Sequence, residues 1–142
     1  MGWRLRERAT QSLWNIWFEQ KGMVGLQRLQ RAQLLLQTGQ LDRALALLDQ
    51  IITEMPDFAE AWNRRAVLYF IQKRYQDSIA DCAVVVDLNP IHFGAWSGMA
   101  LCYSALNNYQ LAITAVRRAL EIQPHAIENQ RLLLECTARL TD

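Results

Sequence analysis

The stretches EMPDFAEAW (54–62) and LNPIHFGAW (88–96) carry a proline and an Ala-Trp pair at matched offsets, 34 residues apart. The chain has only three prolines, Pro56, Pro90 and Pro124, and the two intervals between them are both 34. A fixed period of this size is the mark of a solenoid, in which each copy buries its apolar face against the next. The rest of the unit repeats with the prolines. Twelve residues before each stand Ala44, Ser78 and Ala112; eight before, Leu48, Cys82 and Val116; five before, Ile51, Val85 and Ala119. Ala32, Ala66 and Ala100 lie 24 before them. Small residues recur where two helices must approach closely, and larger apolar ones where a core must be filled.

Within each unit the apolar residues return every three or four positions, which is helical. First helices are expected at 25–37, 59–71 and 93–106, and second helices at 41–54, 75–88 and 109–122. The connecting turns are TGQ, QKR and NN, in which Gly39 and Asn107 suit the left-handed residue that ends a helix. Each proline then follows a second helix, which it cannot continue. Residues 127–142 form a capping segment, with a helix expected at 127–140 from the spacing of Ile127, Leu132, Leu133, Leu134 and Leu140. Residues 1–24 precede the repeats. The span 3–20 reads as an amphipathic helix holding Trp3, Trp14, Trp17 and Phe18 behind Arg4, Arg6 and Arg8, and KGMVG (21–25) reads as a break before the first repeat.

The segments AWNRRAVLYFIQKRYQDSIADCAVVVDLNP (61–90) and AWSGMALCYSALNNYQLAITAVRRALEIQP (95–124) resemble the tetratricopeptide repeat (TPR) family. The likeness rests on Trp62 and Trp96, Tyr69 and Tyr103, Tyr75 and Tyr109, and the closing prolines. It covers 25–126 as three units, 25–58, 59–92 and 93–126. The first departs from the pattern, with Arg28 in the Trp position and Leu35 in the Tyr position. The resemblance implies an all-α fold, a right-handed α-solenoid of three helix-turn-helix units between an N-terminal helix and a capping helix. It also implies a concave groove lined by the first helices. The groove residues would be Leu26, Leu29, Gln33 and Leu36; then Glu60, Asn63, Val67 and Phe70; then Gly94, Ser97, Leu101 and Ser104; with Arg131 and Glu135 from the cap. This wall is mostly apolar or small, which suits an amphipathic helix or an extended apolar peptide. Some family members clamp the C-terminal carboxylate of heat-shock chaperones with Lys, Asn and Arg. Here those places hold Leu29, Gln33, Val67, Ser97 and Leu101, with Asn63 the one polar match, so that activity is not implied.

Arg65 and Asp81 stand sixteen apart, on a first and a second helix, and the same places in the third unit hold Met99 and Ala115. A pair that is charged in one copy and apolar in another implies contact, so an Arg65–Asp81 ion pair is expected, structural rather than ligand-binding. Arg31 has Leu47 in the matching place and is freer to meet a ligand.

Composition narrows the function. Fifteen basic and fourteen acidic residues leave a net charge of +1, and 25–126 balance at zero, so nothing draws the chain to nucleic acid. Three cysteines at long spacings, Cys82, Cys102 and Cys136, imply free thiols in a reducing, cytoplasmic compartment. No apolar run approaches the roughly 20 residues of a membrane span. His92 and His125 lie near prolines with no catalytic cysteine beside them. No phosphate-cradling glycine loop and no metal-binding His or Cys spacing occurs, so no enzyme activity, cofactor or metal is expected. The expected role is a non-catalytic adaptor, scaffold or assembly factor that holds another protein in the groove. Two other readings stay open: docking to a membrane surface or membrane complex through the Trp and Arg residues of 3–20, and self-association.

Overall fold

The structure is a computed structural model and describes residues 22–141. Among these the chain forms seven helices and no strand. They are α1 (22–37), α2 (Leu41–Glu54), α3 (Ala59–Ile71), α4 (Tyr75–Leu88), α5 (Phe93–Ala105), α6 (Tyr109–Ile122) and α7 (Ile127–Thr141). From α2 to α7 each helix packs on the next, and the first helices also meet one another, α3 with α5 and α5 with α7. That is the contact pattern of a solenoid, in which each unit touches only its neighbours.

The small positions are where the backbones close up. Ala32, Ala66 and Ala100 are buried, as are Ala44, Ser78 and Ala112 opposite them. The approach is close enough for the Ser78 hydroxyl to donate to the Ala66 carbonyl oxygen at 2.7 Å. That bond also satisfies a buried hydroxyl, which would otherwise be costly to bury. Leu48, Cys82 and Val116 fill the space between, each at most 2% exposed. Leu48, Ile51 and Leu68 belong to one cluster, Val85 and Val116 to a second, and Trp62 touches both.

The junctions between units share one device. The Trp62 ring N–H donates to the Pro56 carbonyl at 2.9 Å, and the Trp96 ring N–H to the Pro90 carbonyl at 2.8 Å. Gln130 does the same to Pro124 at 2.7 Å, so a side-chain amide replaces the indole in the cap. In the first unit the equivalent Arg28 instead pairs with Glu54.

The turns agree with the expected left-handed residue and add one. Gly39 (φ 78°) and Asn107 (φ 61°) have the positive φ that ends a helix, and so does Lys73 (φ 60°) at the same place in the second unit. This region costs a side chain about 1–2 kcal/mol, of which glycine's extra freedom in the unfolded chain takes back about half. Lys73→Gly should therefore raise the melting temperature by about 2–4 °C, read by thermal circular dichroism.

The expected break at 21–25 is corrected, since residues 22–25 are already helical and continuous with α1. Gly25 serves packing here. A Cβ at this position would stand 3.1 Å from the Phe58 ring and 3.4 Å from the Met55 Cε. Glycine thus lets α1 lie against the end of the first unit. Trp3, Trp14, Trp17, Phe18 and the helix expected at 3–20 lie outside the described residues.

Candidate functional site

α3, α5 and α7 present one continuous face, extended by α1 through a bond from the Arg64 guanidinium to the Gln33 amide oxygen at 3.1 Å. Asn63, Val67 and Phe70 of α3 meet Ser97 and Leu101 of α5 around a pocket of ≈ 230 Å³. Ser78, Cys82 and Ala66 form its floor. Val67, Phe70 and Leu101 remain 42%, 37% and 44% exposed, an unusual concentration of accessible apolar side chains on one face. Ser97 and Leu101 also border a second pocket of ≈ 430 Å³ that runs to Ile127 and Glu128 of α7, so the strip continues to the cap. Ser97 is fixed at the boundary, because its hydroxyl accepts a bond from the buried Asn129 amide at 2.9 Å.

Two glycines line the hollow. Gly94 and Gly98 lie within α5 and line the pocket, where the second unit has Glu60 and Arg64. A glycine inside a helix costs about 0.5–1 kcal/mol against alanine. At Gly98 a Cβ would come 3.5 Å from the Cys82 sulfur, ordinary contact, so the site tolerates a methyl group but loses depth. Gly98 was missed in the sequence. The signal was available, since a lone glycine in a helical pattern often has a packing reason.

The other expected groove residues fare differently. Leu29 is buried beneath the wall with Ala32, Leu48 and Ala61, a correction to its expected exposure. An apolar side chain gains by sinking where Asn63 and Ser97 of the later units stay at the rim. Leu36 is half-buried against the same cluster, and Gln33 is engaged by Arg64. Leu26 is exposed on α1. Ser104 borders a separate, more polar pocket with Glu135 and Arg139. Arg131 is exposed on α7, outside these pockets.

Glu60 of α3 is tied to His92, the residue that caps α5, at 2.5 Å. His92 Nδ1 accepts the Ala95 backbone N–H at 3.0 Å, capping α5, so the ring proton sits on Nε2 and points at the Glu60 carboxylate. Sequence reasoning missed this tie, because neither residue repeats in the other units.

Arg65 and Asp81 meet in a two-pronged pair, Nε and Nη2 each 2.8 Å from a carboxylate oxygen. Nη1 reaches Asp49 of α2 at 2.9 Å, and the guanidinium lies 5.0 Å from the Trp62 ring centre and 5.6 Å from that of Tyr69. Asp81 holds the Arg65 guanidinium above its ordinary range. Burial pushes the Asp81 carboxyl up, and the guanidinium pulls it down less strongly. With all three nitrogens of its fork engaged, Arg65 joins α2, α3 and α4 as a structural tie.

Burial pushes the Cys82 thiol up to about 12 and raises that of Cys102, which removes the thiolate that nucleophilic chemistry needs. Among the described residues no cluster of three His, Cys, Asp or Glu side chains could hold a metal ion, and no helix is long and apolar enough to cross a membrane.

Profiles of the tetratricopeptide repeat match residues 29–90 and 94–126. A TPR repeat-containing protein of Rhizobium etli is 47% identical over 81 residues, covering 57% of this chain and 40% of that protein. A BBSome complex member BBS4 homolog of Drosophila melanogaster is 28% identical over 102 residues, covering 72% of this chain and 21% of that protein. The chain thus spans less than half the length of these curated relatives. Among solved structures, the first TPR of Spaghetti (RPAP3), bound to the HSP90 peptide SRMEEVD, superposes with a TM-score of 0.80 at 23% identity, covering 83% of this chain and 94% of that one. MamA superposes with a TM-score of 0.74 at 19% identity, covering 77% and 64%. At such identities the fold is what is shared.

Proposed function

The chain belongs to the tetratricopeptide repeat family, and from that premise we propose that it is a non-catalytic module that holds another protein across the face of α3, α5 and α7. The observation that carries this reading is the uncharged pocket between α3 and α5, walled by Val67, Phe70 and Leu101. Its ligand is an amphipathic helix or extended segment that places a large apolar side chain in the hollow, with polar contacts at Asn63 and Ser97. The HSP90 peptide held by the Spaghetti domain ends in two glutamates, a valine and an aspartate. That chemistry does not suit this face, which presents Val67, Ser97 and Leu101 and no cation in the pocket wall.

The test is selection of a displayed random-peptide library on the protein. Recovered peptides are expected to share an apolar anchor and to lack an acidic C-terminus. Val67→Glu/Leu101→Glu should weaken them at least tenfold while circular dichroism stays unchanged, because both side chains are exposed in the free protein. Peptides that bind the folded double variant as well as wild type would refute the assignment.

A further inference from the structure

α7 carries a second apolar surface, centred on Leu134 opposite its buried side, with Ile127 and Ala138 at its edges where they also border the two pockets. Asn129, Leu132 and Cys136 face inward and are buried, whereas Ile127 and Leu134 are 69% and 72% exposed. Ile127, Arg131, Leu134, Ala138 and Thr141 follow one another at alternating steps of four and three residues, the spacing of a coiled-coil seam. A capping helix ordinarily turns a polar face outward. This one does not.

The residue at the centre of the seam also departs from the repeat. Leu134 stands where the three units have Ala32, Ala66 and Ala100, each at most 2% exposed under its own second helix. The Ser78–Ala66 bond of 2.7 Å shows how closely that helix sits. A leucine at this place would hold such a helix off, so the end face is shaped for something other than a further repeat.

The charges on α7 indicate what. We propose that this face binds a second copy of the chain, α7 against α7 and antiparallel about a two-fold axis. In that arrangement Leu134 lies on the Arg131 stem of the partner subunit, and Ile127 lies over Ala138 of the partner subunit. The Arg131 head then falls beside Glu135 of the partner subunit, and the symmetry makes this contact twice. A parallel pairing would set Arg131 on Arg131 of the partner subunit and Glu135 on Glu135 of the partner subunit, which repel. The charge pattern is therefore self-complementary in one orientation only. Each helix is about 22 Å long, so the interface falls at the small, transient end of the size range. The pocket between α3 and α5 stays open in both copies.

Sedimentation velocity on the full chain from about 10 μM to 1 mM tests this. The weight-average mass should climb from 16.4 kDa toward twice that value as concentration rises. Leu134→Glu should remain monomeric with an unchanged circular dichroism spectrum, since the side chain is exposed. Arg131→Glu and Glu135→Arg should each weaken the dimer about tenfold, and the two together should restore it. A monomeric wild type at 1 mM, a dimer that survives Leu134→Glu, or a double swap that fails to recover would each overturn the proposal.

Discussion

Asp81→Ala is expected to lower the unfolding free energy by about 3–5 kcal/mol, the cost of leaving a buried charge without its partner. In a chain of this size that is a fall of roughly 10 °C or more in melting temperature. Asp81 is 5% exposed on its side chain and Arg65 17%, so water can do little to replace the lost carboxylate. Asp49 remains to Arg65, but it lies at the surface and takes only one prong. Arg65→Met/Asp81→Ala should stand within about 1 kcal/mol of wild type, because an apolar pair of similar volume removes both charges and both desolvation costs. The third unit already uses that solution, with Met99 and Ala115 buried in the equivalent places. Urea unfolding of the two single and the double variants gives the coupling energy directly. A pH series adds a sign. The Asp81 carboxyl is raised in the folded protein, so the folded state binds the proton more tightly than the unfolded one. Its contribution is fullest below the ordinary carboxylate range and is lost as the pH rises through the folded value. The double variant should therefore gain on wild type over that window.

At Gly98 stability and binding should move in opposite directions. Gly98→Ala replaces a helix-interior glycine and should stabilise the fold by about 0.5–1 kcal/mol, since the new methyl group meets Cys82 at ordinary contact distance. Gly98→Leu sends a branched side chain into the ≈ 230 Å³ hollow, in competition with the ligand's anchor. Peptides selected on wild type should lose about fiftyfold in affinity, or about 2.3 kcal/mol, with a folded spectrum retained. Fluorescence anisotropy and thermal melts on the same samples separate the two effects. Equal affinity for wild type and Gly98→Leu would show that the anchor sits elsewhere on the face.

The parts of the structure that were legible in the sequence are those that repeat. The second helices begin and end where the spacing put them, because proline and the turn residues mark both limits in all three units. The Arg65–Asp81 contact could be read because one unit is charged where another is apolar, a comparison internal to the chain. What was not legible occurs once. Gly22 and Gly25 look like punctuation, yet both are helical, and at Gly25 a side chain would crowd Phe58 and Met55. Leu29 looks like a wall residue by register, but its own hydrophobicity takes it under the surface. The His92–Glu60 tie depends on which atoms face each other between α3 and the cap of α5, and no periodicity encodes that.

The bonds at the junctions differ in how they respond to salt. Trp62 and Trp96 each lock the start of one unit to the end of the unit before it, and Gln130 locks the cap. The first unit has Arg28 at that place, in a partly exposed ion pair that salt and water weaken. That junction is therefore the most salt-sensitive of the four, and each unit that opens removes a template on which its neighbour packs. Added salt should thus loosen the stack at its first seam while leaving the neutral indole and amide stitches of the later ones in place.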